Sequence, residues 1–193
     1  MTAHRGLRNS ITDVIGLRVG QAHDLAVRSG VTVILPDSPC VCAVDVRGGG
    51  PGTRETDALA PENLVDAVHG LVLAGGSVYG LAAADGVCAW LGAQGRGYRF
   101  AQFGEDVPAA PVVPAAILFD LANGGDKAWG EAPPYRRLGL EAVAAASTDV
   151  ALGSAGAGFG AAAGTLPGGV GSASIVSDEG FVVGALAAVN SFG

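Results

Sequence analysis

Runs of branched apolar residues, broken by glycine and proline, set the plan of this chain. Residues 31–35 (VTVIL) and 41–46 (VCAVDV) are β-branched runs separated by "PDSP", which predicts two strands joined by a proline turn. A short helix is expected over 61–69, where Pro61, Glu62 and Asn63 precede Leu64, Val65 and Val68. "GLVLAGG" (70–76) reads as a buried strand ending at glycines, and 79–91, rich in alanine and apolar positions, reads as a helix lying on a sheet. After a loop or flap over 92–114, "AAILFDL" (115–121) resumes as a strand or buried helix. Residues 135–146 place Leu138, Ala142, Val143 and Ala146 at helical spacing, and strands are expected at 150–153, 171–176 and 181–189. Strands alternating with helices predict an α/β layered protein, a single domain over 1–193 without an internal repeat of useful length.

Composition narrows that picture. With 193 residues, 49% of them hydrophobic and 15% charged, the chain can bury a sizeable core and is not a disordered segment. Its 32 glycines follow no Gly-X-Y period, so they mark tight turns and closely approaching backbones. The net charge of -7, with no basic stripe and nothing larger than pairs such as Arg96/Arg99 and Arg136/Arg137, argues against a nucleic-acid partner. Cys40, Cys42 and Cys88 cannot all pair within one chain, and Cys-x-Cys without a histidine at ligand spacing is a poor zinc site. Buried free thiols, no metal and no cofactor are the expectation. The segment "MTAHRGLRNSITD" lacks the apolar run of a signal peptide, and no stretch is long and apolar enough to span a bilayer. A soluble, cytoplasmic protein without a membrane partner is expected.

The candidate chemistry starts at Ser77. A nucleophile elbow needs Gly-x-Ser-x-Gly because a serine on a sharp strand-to-helix turn fits only between small neighbours. The frame here is Gly75-Gly76-Ser77-Val78-Tyr79, with a tyrosine in place of the second glycine. Gly156, Gly158 and Ala161 fit the relaxed dinucleotide fingerprint, with Asp178 and Glu179 at a distance suited to a ribose contact. The helix that should hold the pyrophosphate is interrupted by Gly164, Pro167, Gly168 and Gly169, which leaves a dinucleotide-binding module as an alternative only. His4, His23 and His69 are scattered. Tyr79, Lys127 and Asn190 have the right chemistry for a site: a phenol beside an anion, a cation that shifts a neighbour's pKa, and an amide of the oxyanion-hole type. Taken singly, each is more often structural: Tyr79 a packing residue at a helix start, Lys127 a solvated loop charge and Asn190 a turn former.

Six blocks lift these residues out of that ambiguity. "NSITDVIGLRVGQA", "GVTVILP", "AVDVRGGGPGTRETDAL", "LAGGSVYGLAAADGV", "GAGFGAAAGTLPGGVGSAS" and "VVGALAAVNSFG" run in order from Asn9 to Gly193. Together they resemble the DmpA-type L-aminopeptidase/D-esterase family, related to the β-peptidyl aminopeptidases and the nylon-oligomer hydrolases. The resemblance implies an αββα sandwich like that of the N-terminal nucleophile hydrolases, and a precursor that cuts itself. It implies that the new N-terminal Ser or Thr of the downstream β part attacks an amide, with its own α-amine as base. It further implies that Tyr79 is the active-site tyrosine, Asn190 the oxyanion-hole asparagine and Lys127 the lysine of the nylon-hydrolase branch. Arg54 and Glu55 fall in a candidate substrate or interface loop. No residue here matches the nucleophile. The expectation is therefore an α portion that works with a separate β part from the same precursor, in an oligomer of αβ units acting on a small peptide or amide. An acyltransferase of the ornithine-acetyltransferase type, which shares self-cleavage, is the alternative.

Overall fold

Every residue of β3 (Ser29–Pro36) is buried, so this strand has cover on both faces. It is the centre of the computed structural model, which describes residues 2–100, 102, 104 and 106–190. Residues 101, 103 and 105 of the expected 92–114 loop, and 191–193 of the "VVGALAAVNSFG" block, lie outside the described residues.

The main sheet has the order β2 (Leu17–Asp24), β3, β5 (Leu71–Ala74), β6 (Ala115–Ile117) and β4 (Thr53–Arg54). The β5/β6 pair is parallel and the others are antiparallel. A second, antiparallel sheet joins β1 (Ala3–Arg5), β9 (Gly169–Ser177) and β10 (Val182–Val189), and β7 (Ala162–Ala163) pairs with β8 (Leu166–Pro167) in a small hairpin. The helices α1 (Ala83–Ala93) and α2 (Tyr135–Ala144) cover one face of the main sheet. Side chains alternate across a strand, so Val31, Val33 and Leu35 meet Val87, Leu91, Leu138 and Val143 in the core. On the opposite face, the Thr32 hydroxyl accepts the Ala157 N–H (3.0 Å) from a 3-10 turn at Gly156–Gly158. That turn and a second one at Ile11–Asp13 touch both sheets and hold them together. The result is a layered α/β fold, as expected.

The two helices approach closely because glycines face each other's backbone. A Cβ on Gly139 would stand 2.2 Å from the Ala83 carbonyl oxygen, and one on Gly86 would stand 2.2 Å from that of Arg136.

The sequence reading holds at 31–35, 79–91, 135–146, 171–176 and 181–189, and 115–121 opens as a strand. It fails at three places. Residues 41–46 form no strand: both edges of β3 are taken by β2 and β5, and only Cys40 bridges, to Val68. The segment instead borders an apolar groove of about 550 Å³ between the sheets, with Ile34, Leu71, Leu73 and Leu186. Residues 61–69 form no helix, because the Tyr98 hydroxyl accepts the Asp66 and Ala67 N–H groups (3.1 and 2.9 Å) that a helix would have used internally. Residues 150–153 contribute only the Gly153–Val170 bridge; the Gln21 side chain bonds both backbone groups of Ala151 and replaces a neighbouring strand.

The apolar strand β10 is covered on one face only. Val183, Ala185, Ala187 and Val189 of β10 and Gly171, Ala173 and Ile175 of β9 form an exposed surface on the outer side of the second sheet. Among the described residues, no helix is long and apolar enough to cross a membrane.

Two outcomes follow from this packing. Gly139→Ala is expected to lower the unfolding free energy by about 1–3 kcal/mol, the usual cost of overpacking, read from the denaturant midpoint. His69 is buried, and burial and then the charge of Arg96 pull its pKa below 6.5; its Nδ1 accepts the Val112 N–H (3.1 Å), which needs an unprotonated nitrogen. The unfolded chain therefore binds this proton first, so the His69 contribution is complete above about pH 6.5 and declines as pH falls through the folded value. The wild-type loss of stability between pH 7 and 5 should be smaller in His69→Gln, measured by denaturant titration at each pH.

Candidate active site

The parallel strands β5 and β6 end side by side, and the segments that leave them build the candidate site. The carboxyl ends of parallel strands are where open α/β sheets bind ligands. After β5, Gly75 and Gly76 lead into Ser77, with Gly76 (φ 83°) and Ser77 (φ 53°) both left-handed, and a 3-10 turn over Ser77–Ala82 continues into α1. Glycine is required here: a Cβ on Gly75 would stand 2.1 Å from Asp120 Oδ2, and one on Gly76 would stand 2.0 Å from the Tyr135 ring. After β6, Leu118 donates to the Ala74 carbonyl (2.8 Å) and accepts from the Ser77 N–H (2.9 Å), so the two exits are laced together.

Asp120 closes the lacing. Its Oδ1 accepts the Gly76 N–H (2.7 Å) and its Oδ2 accepts the Ser29 hydroxyl (2.6 Å). Ser29 in turn accepts from the fully buried Tyr135 hydroxyl (3.1 Å). Burial pushes the Asp120 carboxyl above its usual range, against the pull of these two donors, and pushes the Tyr135 phenol up to about 12.

Asn190 follows β10 and lines a cavity of about 310 Å³ together with Phe119, Asp120, Asn123, Gly160 and Ala162. Its Oδ1 accepts the Phe119 N–H (2.9 Å) and its Nδ2 donates to the Ala162 carbonyl (2.8 Å). These two bonds fix the amide direction, and since a carboxamide has two N–H donors, one N–H is left without an acceptor among the described residues. Asn123 uses all of its capacity to hold the far wall. Its Nδ2 donates to the Arg28 and Gly160 carbonyls, and its Oδ1 accepts from the Gly125 N–H and Lys127 Nζ.

The five residues singled out in the sequence do not converge on this cavity. Asn190 lines it. The Lys127 ammonium is directed into the wall, onto the Val27 carbonyl and Asn123, and burial lowers its pKa. Tyr79 lies on the Ser77–Ala82 turn, 45% exposed, with its ring edge-on to Trp129 at 5.5 Å. The Arg54 guanidinium bonds Asp85 and the Leu81 carbonyl, and Glu55 accepts the Val113 N–H (3.1 Å); both fasten the 53–56 segment to its surroundings. Ser77 carries the strained backbone of an elbow, but each histidine is engaged elsewhere: His4 with the Arg5 carbonyl, His23 stacked on Phe159 and His69 with Val112. The Gly156 fingerprint leads into the β7/β8 hairpin instead of a helix, so the phosphate-holding element of a dinucleotide site is absent from it. Asp120 and Asn123 were not singled out. Asp120 did carry a signal, a lone charge inside the apolar run "AILFDL", which marks a buried carboxylate with a specific set of donors.

Comparison with known proteins names the family. The family model described as Peptidase family S58 matches residues 9–193. The chain belongs to peptidase family S58. An uncharacterized aminopeptidase of Mycobacterium tuberculosis is 50% identical over 193 residues, covering 96% of this chain and 54% of the relative. One from Mycobacterium leprae is 46% identical over 198 residues, covering 96% and 53%. Among solved structures, a Burkholderia β-aminopeptidase superposes with a TM-score of 0.76 at 25% identity, over 98% of this chain and 54% of that one. The L-aminopeptidase D-Ala-esterase/amidase of Ochrobactrum anthropi, described as a variant of the Ntn hydrolase fold, gives 0.72 at 22% identity, over 96% and 54%. The resemblance to the DmpA-type family and the α/β fold class expected from the sequence are thereby borne out. The chain spans about half the length of the curated relatives it matches.

The wall of the cavity is testable on its own. Asn123→Ala removes four hydrogen bonds that join three segments. It is expected to cost about 2–6 kcal/mol of stability by chemical denaturation, at roughly 0.5–1.5 kcal/mol per bond.

Proposed function

We propose that this chain is the α portion of a self-cleaving amide hydrolase of aminopeptidase type. The nucleophile in this reading is the N-terminal Ser or Thr hydroxyl of a β part released from the same precursor. The observation that carries the reading is Asn190: its amide is locked by Phe119 and Ala162 at the edge of a cavity, with one N–H to spare. A fixed neutral donor at a cavity stabilises the oxyanion of a tetrahedral intermediate, which develops only in the transition state.

In this reading the β part's hydroxyl attacks the substrate carbonyl while its own α-amine takes the proton. Asn190 donates to the oxyanion, the amine leaves, and water releases the acyl group. Tyr79, half exposed on the turn beside the site, positions the reacting groups from its edge. Lys127 acts from within the wall, where its charge faces Asp120. Arg54 ends β4, the edge strand of the main sheet, and Glu55 follows it; this segment is assigned to substrate or interface contacts. Membership of the S58 family and the aminopeptidase names of its relatives support the reaction class. The exposed outer face of the second sheet and the apolar groove between the sheets support a second part that covers them. Assembly of αβ units into a homo-oligomer, and action on small peptides or amides, complete the proposal.

The test uses the full-length gene product. Intact mass spectrometry is expected to find two chains, the second beginning with Ser or Thr; a single uncut chain with full activity would sink the reading. Asn190→Ala is expected to lower kcat about 10²- to 10³-fold with a smaller change in KM, as loss of an oxyanion donor does.

A further inference from the structure

The role of Asn190 raises the question of what aims it. Its amide is held at Nδ2 by the Ala162 carbonyl and at Oδ1 by the Phe119 N–H, and Phe119 is 56% exposed, so its own packing holds it weakly. The neighbours do the holding. Leu118 is tied to Ala74 and Ser77, and Asp120 is tied to Gly76 and Ser29 through both carboxylate oxygens.

Asp120 is an expensive choice for a merely structural tether. It is 3% exposed, and although the Lys127 charge favours its ionised form, the Lys127 ammonium makes its hydrogen bonds to the Val27 carbonyl and Asn123 and not to Asp120. Burying a carboxylate without a directly bonded cation is costly, and an apolar residue of similar shape would remove that cost. What the carboxylate gains is two charge-assisted bonds, about twice as strong as neutral ones, directed at two different segments. Gly75 and Gly76 have been kept free of side chains so that the carboxylate and the Tyr135 ring fit against them.

We propose that Asp120, backed by Ser29 and Tyr135, is the positioning residue that aims the Asn190 amide at the reacting carbonyl. It holds the 118–120 segment in register with the Gly75–Gly76 turn, and the Phe119 N–H passes that register to Asn190 Oδ1. Asp120 does not itself touch substrate. The inference rests on the oxyanion role of Asn190 proposed above.

The experiment is a double-mutant cycle in the processed full-length enzyme, with rates taken per active site titrated by an acylating inhibitor. Asp120→Asn keeps the size of the group but offers one acceptor oxygen in place of two. It is expected to lower kcat on the order of 10- to 100-fold, with KM within about threefold, as a fraction of the loss that removing an oxyanion donor causes. In the Asn190→Ala background the same change is expected to cost less than about threefold, because its effect passes through the missing amide. Equal losses in both backgrounds would overturn the proposal, as would an Asp120→Asn enzyme with wild-type kcat and only a lower Tm.

If Asp120→Asn does not fold, Ser29→Ala removes one of the two donors and is held to the same criterion: a kcat loss that vanishes without Asn190. If a variant remains uncut, the rate of precursor self-cleavage replaces kcat. A wild-type kcat in Asn190→Ala overturns the functional reading itself. A large loss in Asn190→Ala beside none in Asp120→Asn overturns only the present inference.

Discussion

A carboxylate removed from water must be surrounded by donors, and meeting that demand at Asp120 shapes the centre of this molecule. The donors come from three places that are far apart in sequence: Ser29 at the start of β3, Gly76 in the turn after β5, and Tyr135 of α2 acting through Ser29. Each constrains its own surroundings. The turn must be glycine where the carboxylate and the phenol press against it, and Ser77 must accept a left-handed backbone to continue into α1. The helix layer, the main sheet and the exits of the parallel pair are thus fixed relative to one another by one buried polar network. Such a network is stable only when every member is satisfied; among the described residues no buried side-chain polar atom lacks a partner.

The two faces of the layered fold are finished differently. On the helix side the packing is closed, with Tyr135, Leu91, Leu138 and Val143 almost fully buried. On the other side, the second sheet meets the main sheet through two 3-10 turns rather than through a continuous core, and its outer face presents small and branched apolar side chains to solvent. An apolar sheet face is a surface that seeks cover. The relatives are about twice as long as the part matched here, which supplies chain to provide it in the proposed reading.

How much of this was legible in the sequence depended on whether the signal was local. The strands 31–35 and 181–189 and the helices 79–91 and 135–146 carry their own periodicity or apolar run, and they form where expected. The strand expected at 41–46 had the right residues but no free edge to join, a fact of topology that no local pattern contains. β2 went unread because Gly20, Gln21, Ala22 and His23 break its alternation, and pairing with β3 along its whole length makes it a strand. In the site, Asn190 was found through a block of family sequence. Asp120 and Asn123 were passed over because their roles depend on partners from remote segments, Ser29 and Gly76 for the one and the Arg28 and Gly160 carbonyls for the other, which composition and spacing do not encode.

The division of chemistry across the site has a physical logic in the proposed reading. Around the cavity this chain contributes amides, backbone carbonyls and one shielded carboxylate, all suited to orienting and stabilising charge. The three histidines are engaged elsewhere, and Ser77, the one hydroxyl residue with a left-handed backbone among the described residues, has none of them as a base. A hydroxyl without a base is a poor nucleophile. A second part that brings hydroxyl and amine on a single residue would supply both missing functions at once. Its arrival would meet an oxyanion donor already aimed, so the reorganisation that slows amide hydrolysis in water would have been completed when the chain folded.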